Sequence, residues 1–299
     1  MKALKLTISV FDFSDYSLFL KAAYLDLKNQ DERFSHRVLQ RKAGYATSSS
    51  HFWQRMNGRS PLGADAARRY GRALGLNRRE LDFFMLLAAM NQAKSDEERN
   101  YYFESIKAFP EFSERAGRPG NSWKYYEYWY LPALRALTSL DSFREDPKWI
   151  GQQLVPPITP VQAEKGLERL LEMGYLVREP SGRLKCAEPL IGSYDDRREE
   201  DPVQRLALRN YTRKMGEMAV QSLDQQTQAQ RYLVGNTMSI SRNQAHELRQ
   251  LVSGFMRNVE ALIARNEPAE IVYRMNVQLF SLSRWPEDKT GNKKERGDE

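Results

Sequence analysis

Apolar positions along the first hundred residues recur at intervals of three and four, the spacing that lines one face of an α-helix. Phe13, Tyr16, Phe19, Leu20, Ala23 and Leu27 mark a first helix, with Asp12 or Ser14 as its cap. After a polar break at 29–33, a short helix is predicted over 35–43. Val38 and Leu39 face inward there, and Arg37, Arg41 and Lys42 outward. Gly44-Tyr45 supplies a turn, because glycine tolerates the left-handed conformation that ends a helix. A third helix is predicted over 47–56 and stops at Asn57-Gly58. Ser60-Pro61 opens a fourth that carries Ala64, Ala67, Tyr70 and Leu74, and a strongly apolar fifth covers 78–91. Ser95 and Glu98 make a capping box for a sixth, which runs through Phe109.

Residues 110–121 hold two prolines and two glycines and read as a linker. A helix crowded with aromatics follows from Ser122, and Pro132 is expected to kink it by removing a backbone donor. The stretch 146–187 has the pattern of a winged helix. It contains a short helix at 147–154, a break at Pro156-Pro157, and Thr159-Pro160-Val161-Gln162 as cap, first-turn proline and capping-box glutamine. Ala163, Leu167, Leu170 and Leu171 form that helix's inner stripe, and Gly174 ends it. Strands are predicted at 175–178 and 183–187 around a Ser181-Gly182 turn. A charged hinge at 194–201 leads to a helix at 202–223, a strand at 231–239, a helix at 241–265 and a strand at 270–283. In the last strand Ile271, Tyr273, Met275, Val277 and Leu279 alternate with Val272, Arg274, Asn276 and Gln278, a half-buried pattern.

The expected fold class is therefore mainly α. It comprises an N-terminal helix-turn-helix domain (1–110), a central winged helix (121–192), a C-terminal α/β dimerisation or sensing domain with a small sheet (200–285), and a disordered tail (286–299). A chain of 299 residues accommodates that number of domains. No apolar run approaches a membrane span, so no membrane partner is expected. The single cysteine, Cys186, excludes an intramolecular disulfide and any multi-cysteine metal site, and the expected compartment is a reducing cytoplasm.

Charge sharpens this picture through its distribution. The chain carries a net +7, and the window from Asp31 to Glu80 alone holds eleven bases against four acids, an excess equal to that of the whole chain. Nearly all of those bases are arginine, whose planar guanidinium pairs with phosphates and guanine edges through two bonds at once. A helix-turn-helix needs a support helix, a tight turn, and a second helix that is apolar inside and polar outside. Phe52, Trp53 and Met56 are the expected inner lock. Thr47, Ser48, Ser50, His51, Gln54 and Arg55 then face outward, flanked by Arg37, Arg41 and Arg59. Hydroxyls at the helix start suit phosphate, Gln54 suits adenine and Arg55 suits guanine. A helical hairpin with a solvated basic face fits the same charge pattern.

The Asp15-Tyr16-x-x-Phe19-Leu20 phrase, Phe34-Ser35 with Ala43-Gly44-Tyr45, Gly58-Arg59, and Ala73-Leu74-Gly75-Leu76 carry a family resemblance. Asn91-Gln92-Ala93-Lys94, Tyr125-Tyr126-x-Tyr128-Trp129-Tyr130, Leu170-Leu171-Glu172-Met173-Gly174 and Asn276-Val277-Gln278-Leu279-Phe280 extend it over nearly the whole chain. With these the sequence resembles the Fibrobacter paralogous family of bacterial helix-turn-helix regulators, also abundant in Bdellovibrio-like bacteria, whose C-terminal part is a domain of unknown function. The resemblance implies transcriptional regulation through a helix-turn-helix.

Other motifs are weaker. The predicted helix 159–173 would face outward with Gln162, Lys165, Glu168, Arg169 and Glu172, and its acids favour packing or dimerisation over DNA contact. Trp123, Tyr126 and Trp129 either stack a planar ligand or form a core that joins two domains. His36, His51 and His246 lie on different elements, and no phosphate-binding loop, dinucleotide fingerprint or nucleophile elbow is present. The expectation is a non-enzymatic, cofactor-free regulator that binds double-stranded DNA as a homodimer, with an effector of unspecified identity acting on the C-terminal domains. The alternatives are an adaptor that meets an acidic protein partner with the same helices, and a nucleotide-responsive sensor that uses the aromatic cluster.

Overall fold

Short-range signals decide where the helices begin and end. A computed structural model of the chain describes residues 4–46, 50–115, 123–188, 201–265 and 267–284. These hold thirteen α-helices and one two-stranded antiparallel sheet, so the protein is mainly helical. No helix among the described residues is long and apolar enough to cross a membrane. Two compact units emerge, Met1–Lys124 with Asp195–Arg209, and Tyr125–Tyr194 with Asn210–Glu299. The first turns of the long helix that begins at 202 fall in the first unit.

The first unit begins with a 3-10 turn at Val10–Asp12 and contains α1 (Tyr16–Gln30), α2 (His36–Lys42), α3 (His51–Met56), α4 (Ala64–Ala73), α5 (Arg78–Gln92), α6 (Asp96–Lys107) and α7 (Pro110–Arg115). Asp15, rather than Asp12 or Ser14, caps α1 by accepting from Ser17 N at 2.6 Å and Leu18 N at 3.2 Å. Ser14 Oγ instead donates to Asp201 at 2.6 Å. Pro61 does not open α4, which starts after Gly63. Leu62, almost fully buried, is held by an amide clamp. Its N–H donates to Gln92 Oε1 at 2.6 Å, and Gln92 Nε2 returns a bond to its carbonyl at 3.0 Å. The adjacent Asn91 clamps the start of α1 in the same way, through Tyr16 N and Ser14 O. Ser95 caps α6 as expected, but Glu98 reaches one residue further back, to Lys94 N.

Residues 110–115, expected as linker, form a helix. Proline suits its first turn, and Phe112 is buried 5.5 Å from Phe83 between ring centroids. The rest of that expected linker lies outside the described residues, as do the charged hinge from 194 to 200 and the expected tail.

The second unit contains α8 (Trp123–Glu127, of which Trp123 and Lys124 fall in the first unit), α9 (Tyr130–Leu137), α10 (Pro147–Gln153), α11 (Pro160–Glu172), β1 (Leu176–Arg178) and β2 (Leu184–Cys186). It continues with α12 (Pro202–Gln225), which enters it at Asn210, and α13 (Arg242–Ile263). The predicted single kinked helix is two helices. Pro132 sits in the first turn of α9, where its missing donor costs nothing. The Thr159/Gln162 capping box is present, and β1 pairs with β2 in the register Leu176 with Cys186 through Arg178 with Leu184. Gly166 lets α11 approach α9 closely: a Cβ there would lie 2.4 Å from Leu134 Cδ1. Tyr125, Ile150, Ala163, Leu170, Leu176 and Leu184 fill the core.

Beyond α12 the chain departs from expectation. Segments 231–239 and 270–283, predicted as strands, form no strand and join no ladder among the described residues.

Candidate nucleic-acid interface

The N-terminal unit places α2 and α3 as two short helices joined by a glycine turn. Ser35 Oγ caps α2 by accepting from Val38 N at 3.4 Å. At the other end Gly44 adopts φ +74°, Gly44 N donates to Arg41 O at 3.0 Å and Tyr45 N to Gln40 O at 2.9 Å. This pair of bonds ends a helix while satisfying its last carbonyls. Asn57, Gly58 and Arg59 repeat the motif at the end of α3: Gly58 N donates to Arg55 O at 3.1 Å and Arg59 N to Gln54 O at 2.8 Å.

Phe52 locks α3 in place. It is fully buried, and its ring centroid lies 6.1 Å from Tyr24 on α1, 5.5 Å from His36 on α2 and 5.2 Å from Tyr70 on α4. Met56, one turn on, is buried beside it. Trp53 was expected in the same lock and is not there. It is 39% exposed, with the Arg59 guanidinium 4.7 Å from its ring. An inner face at 52 and 56 leaves position 53 about a quarter-turn away, and its bulk rather than its period suggested burial.

Arg55 also differs from expectation. It is half-buried and braces the fold: Nε donates to Pro61 O at 3.3 Å, a guanidinium nitrogen reaches Tyr70 Oη at 3.5 Å, and the group lies 5.7 Å from the Tyr45 ring. Arg69 approaches Tyr45 as well, at 5.4 Å, while bonded to Asp65 at 2.7 Å. Gln54 is half-buried and donates to Ser50 Oγ at 3.0 Å. Thr47 and Ser48 lie outside the described residues.

The free basic surface is therefore made by other residues. Arg37, Arg41 and Arg59 are exposed and have no acidic partner among the described residues, and the same holds for Arg68, Arg72 and Arg78. His51 and Ser50 are exposed at the start of α3. Arg68 and Arg72 lay within the basic window, and their i, i+4 spacing on α4 was the signal that would have added them. His36 is not part of this surface. Its ring sits 4.2 Å from Tyr24, its Nε2 is buried without a hydrogen bond, and burial followed by nearby Lys28 holds its pKa below the ordinary 6.5.

The aromatic cluster does not converge. Trp123 is buried in the first unit, 5.2 Å from Phe103 and stacked at 6.3 Å on Phe112. It borders a cavity of about 50 Å³ with Phe11, Asp12 and Asp201, room for a water or two but not for a planar ligand. Tyr126 packs in the second unit against Tyr125 at 5.1 Å and Tyr211 at 4.9 Å, and Trp129 is half-buried beside Tyr130. Cys186 is half-buried, its Sγ 3.2 Å from both the Arg135 carbonyl and Ser139 Oγ. No group of acidic, histidine or cysteine side chains among the described residues is arranged to hold a metal.

Across residues 114–282 the chain matches the model of DUF4423, a domain of unknown function, and it belongs to that family. Neither a curated protein nor a solved structure matches it. The match begins beyond α6 and leaves the candidate interface outside the family's domain.

Proposed function

We propose that this protein is a cytoplasmic, non-enzymatic transcriptional regulator that binds double-stranded DNA as a dimer through α2 and α3. One observation carries the reading. A glycine-linked pair of short helices, locked by Phe52, carries exposed arginines without acidic partners among the described residues, while Arg55 and Arg69 are engaged with Pro61, Asp65 and tyrosine rings. Exposed guanidiniums that no carboxylate neutralises attract a polyanion and release its counterions. Arg37, Arg41 and Arg59 are assigned to phosphate contacts, and His51 at the head of α3 to a base edge. Arg55 holds α3 in position and does not read a base. The segment from α9 to β2 is read as a winged helix. The outer face of α11 mixes Glu164, Lys165, Glu168 and Arg169, so its role is packing and not phosphate binding.

The test is selection from a random duplex library with the full chain, followed by titration of the enriched site. Arg37→Ala/Arg41→Ala weakens binding to every sequence and lowers the salt slope by about one per arginine. His51→Ala relaxes preference at one position only. Salt-insensitive binding, or binding indifferent to sequence, removes the reading in favour of an adaptor for an acidic protein.

A further inference from the structure

The C-terminal arm leaves two kinds of surface uncovered. Of the twenty-six large apolar side chains exposed among the described residues, eighteen lie between Val220 and Leu282. A monomer rarely tolerates an apolar patch beyond a few hundred Å².

Helix α13 is twenty-two residues long, begins with a complete Ser241/Gln244 capping box, and has no buried residue. Its apolar positions Ala245, Leu248, Val252, Phe255, Val259 and Leu262 alternate spacings of three and four. That 3.5-residue period keeps one seam in contact with a second helix along its whole length. Phe255 is 50% exposed and Leu262 56%, while Ala245, Leu248, Val252 and Val259 are half-buried, so the described residues cover the seam only in part.

The second surface is the extended segment after α13. Its inner side rests on α12: Asn276 Nδ2 donates to Met215 O at 3.0 Å, and Arg274 lies 5.2 Å from the Tyr211 ring. Ile271, Tyr273, Met275, Val277 and Leu279 point the other way and are 40% to 65% exposed. Residues 232–240 and 271–280 make no backbone–backbone hydrogen bond among the described residues. A segment outside any ladder, with an apolar face, is what a neighbouring strand completes.

We infer that a second copy of this chain covers this arm, with α13 packed against its counterpart and the extended segments paired between the two copies. A second copy supplies both missing parts at once, a helix of matching period and strands with unpaired edges. The amount of surface agrees. Sixteen exposed apolar side chains from Tyr232 to Leu282, at roughly 100 Å² each, give about 1,600 Å² per copy, within the range of obligate homodimers. The family's domain runs from 114 to 282 and so includes the arm.

This inference takes its partner from the dimer reading and is independent of DNA binding, so its test contains no DNA. The full chain is weighed by sedimentation equilibrium at micromolar concentration, and amide exchange is followed over a dilution series. The expected mass is twice 34.8 kDa, with protection at 242–263 and 271–280 that fades on dilution while α5 stays protected. Phe255→Ala raises the dimer dissociation constant roughly tenfold or more. Phe255→Asp/Leu262→Asp yields the monomer. If the double variant aggregates, the dilution series of the unaltered chain decides. A monomer at these concentrations overturns the inference and leaves DNA binding to its own test. A dimer whose arm exchanges freely, or whose mass survives both variants, overturns the assignment of the arm but keeps the dimer.

Discussion

His36 stands between the Tyr24 and Phe52 rings with one ring nitrogen buried and unbonded. Its neutral form is favoured in the fold, because burial first and Lys28 second depress its pKa. The unfolded chain then binds the proton more readily than the folded one. Stability is fully present above the unfolded value near 6.5 and is lost as the pH falls through it towards the depressed folded value. Urea midpoints measured at neutral pH and near pH 5 should fall in the parent chain and fall less in His36→Phe. An equal fall in both would remove His36 as the cause. Arg55 and Arg41 separate bracing from binding in the same helix pair. Arg55→Ala takes away contacts to Pro61 and to two tyrosine rings, an expected loss of about 1 kcal/mol in thermal or urea unfolding. Arg41→Ala should leave stability within about 0.5 kcal/mol and act only on DNA affinity.

The elements of the second unit depend on close approaches that no side chain permits. A Cβ at Gly151 on α10 would come within 2.4 Å of the Ile158 carbonyl oxygen, which is backbone and cannot swing away. Gly151→Ala should therefore destabilise this unit by about 1–3 kcal/mol despite the better helix propensity of alanine. Gly166→Ala meets side chains alone, the end of Leu134 at 2.4 Å and Leu131 at 3.4 Å, and should cost less. Urea denaturation of the two variants side by side gives the comparison, and equal losses would contradict the geometry. Helix ends and the hairpin turn were legible because their chemistry is local: Ser35, Gly44, Asn57-Gly58, Thr159 with Gln162, and Ser181-Gly182 each act within about five residues of chain. The helix at 110–115 was not, since turn-forming residues mask a helix whose anchors, Phe112 on Phe83 and Glu111 on Arg79, find their partners far along the chain.

At the scale of the molecule, the proposed dimer carries two arginine-rich faces, and its affinity for DNA should fall steeply with salt. On a logarithmic plot each phosphate contact contributes a slope of about 0.9. A full-site titration against salt checks this, and the monomeric Phe255→Asp/Leu262→Asp variant should show a smaller slope on the same site, having one face instead of two. An unchanged slope would mean that a single copy makes all the contacts. By itself the amino-acid sequence determined the helical class, most helix ends, the excess of charge near α2 and α3, and the alternation of residues 271–279. All of these follow from spacings within a few turns or from simple counts. Tertiary structure decided which of the arginines are occupied, that Trp53 faces out, and that the apolar side of the last segment points away from α12. Those outcomes depend on which groups distant in the chain arrive next to one another. Residue period states that a strand has an apolar face but not what stands opposite it.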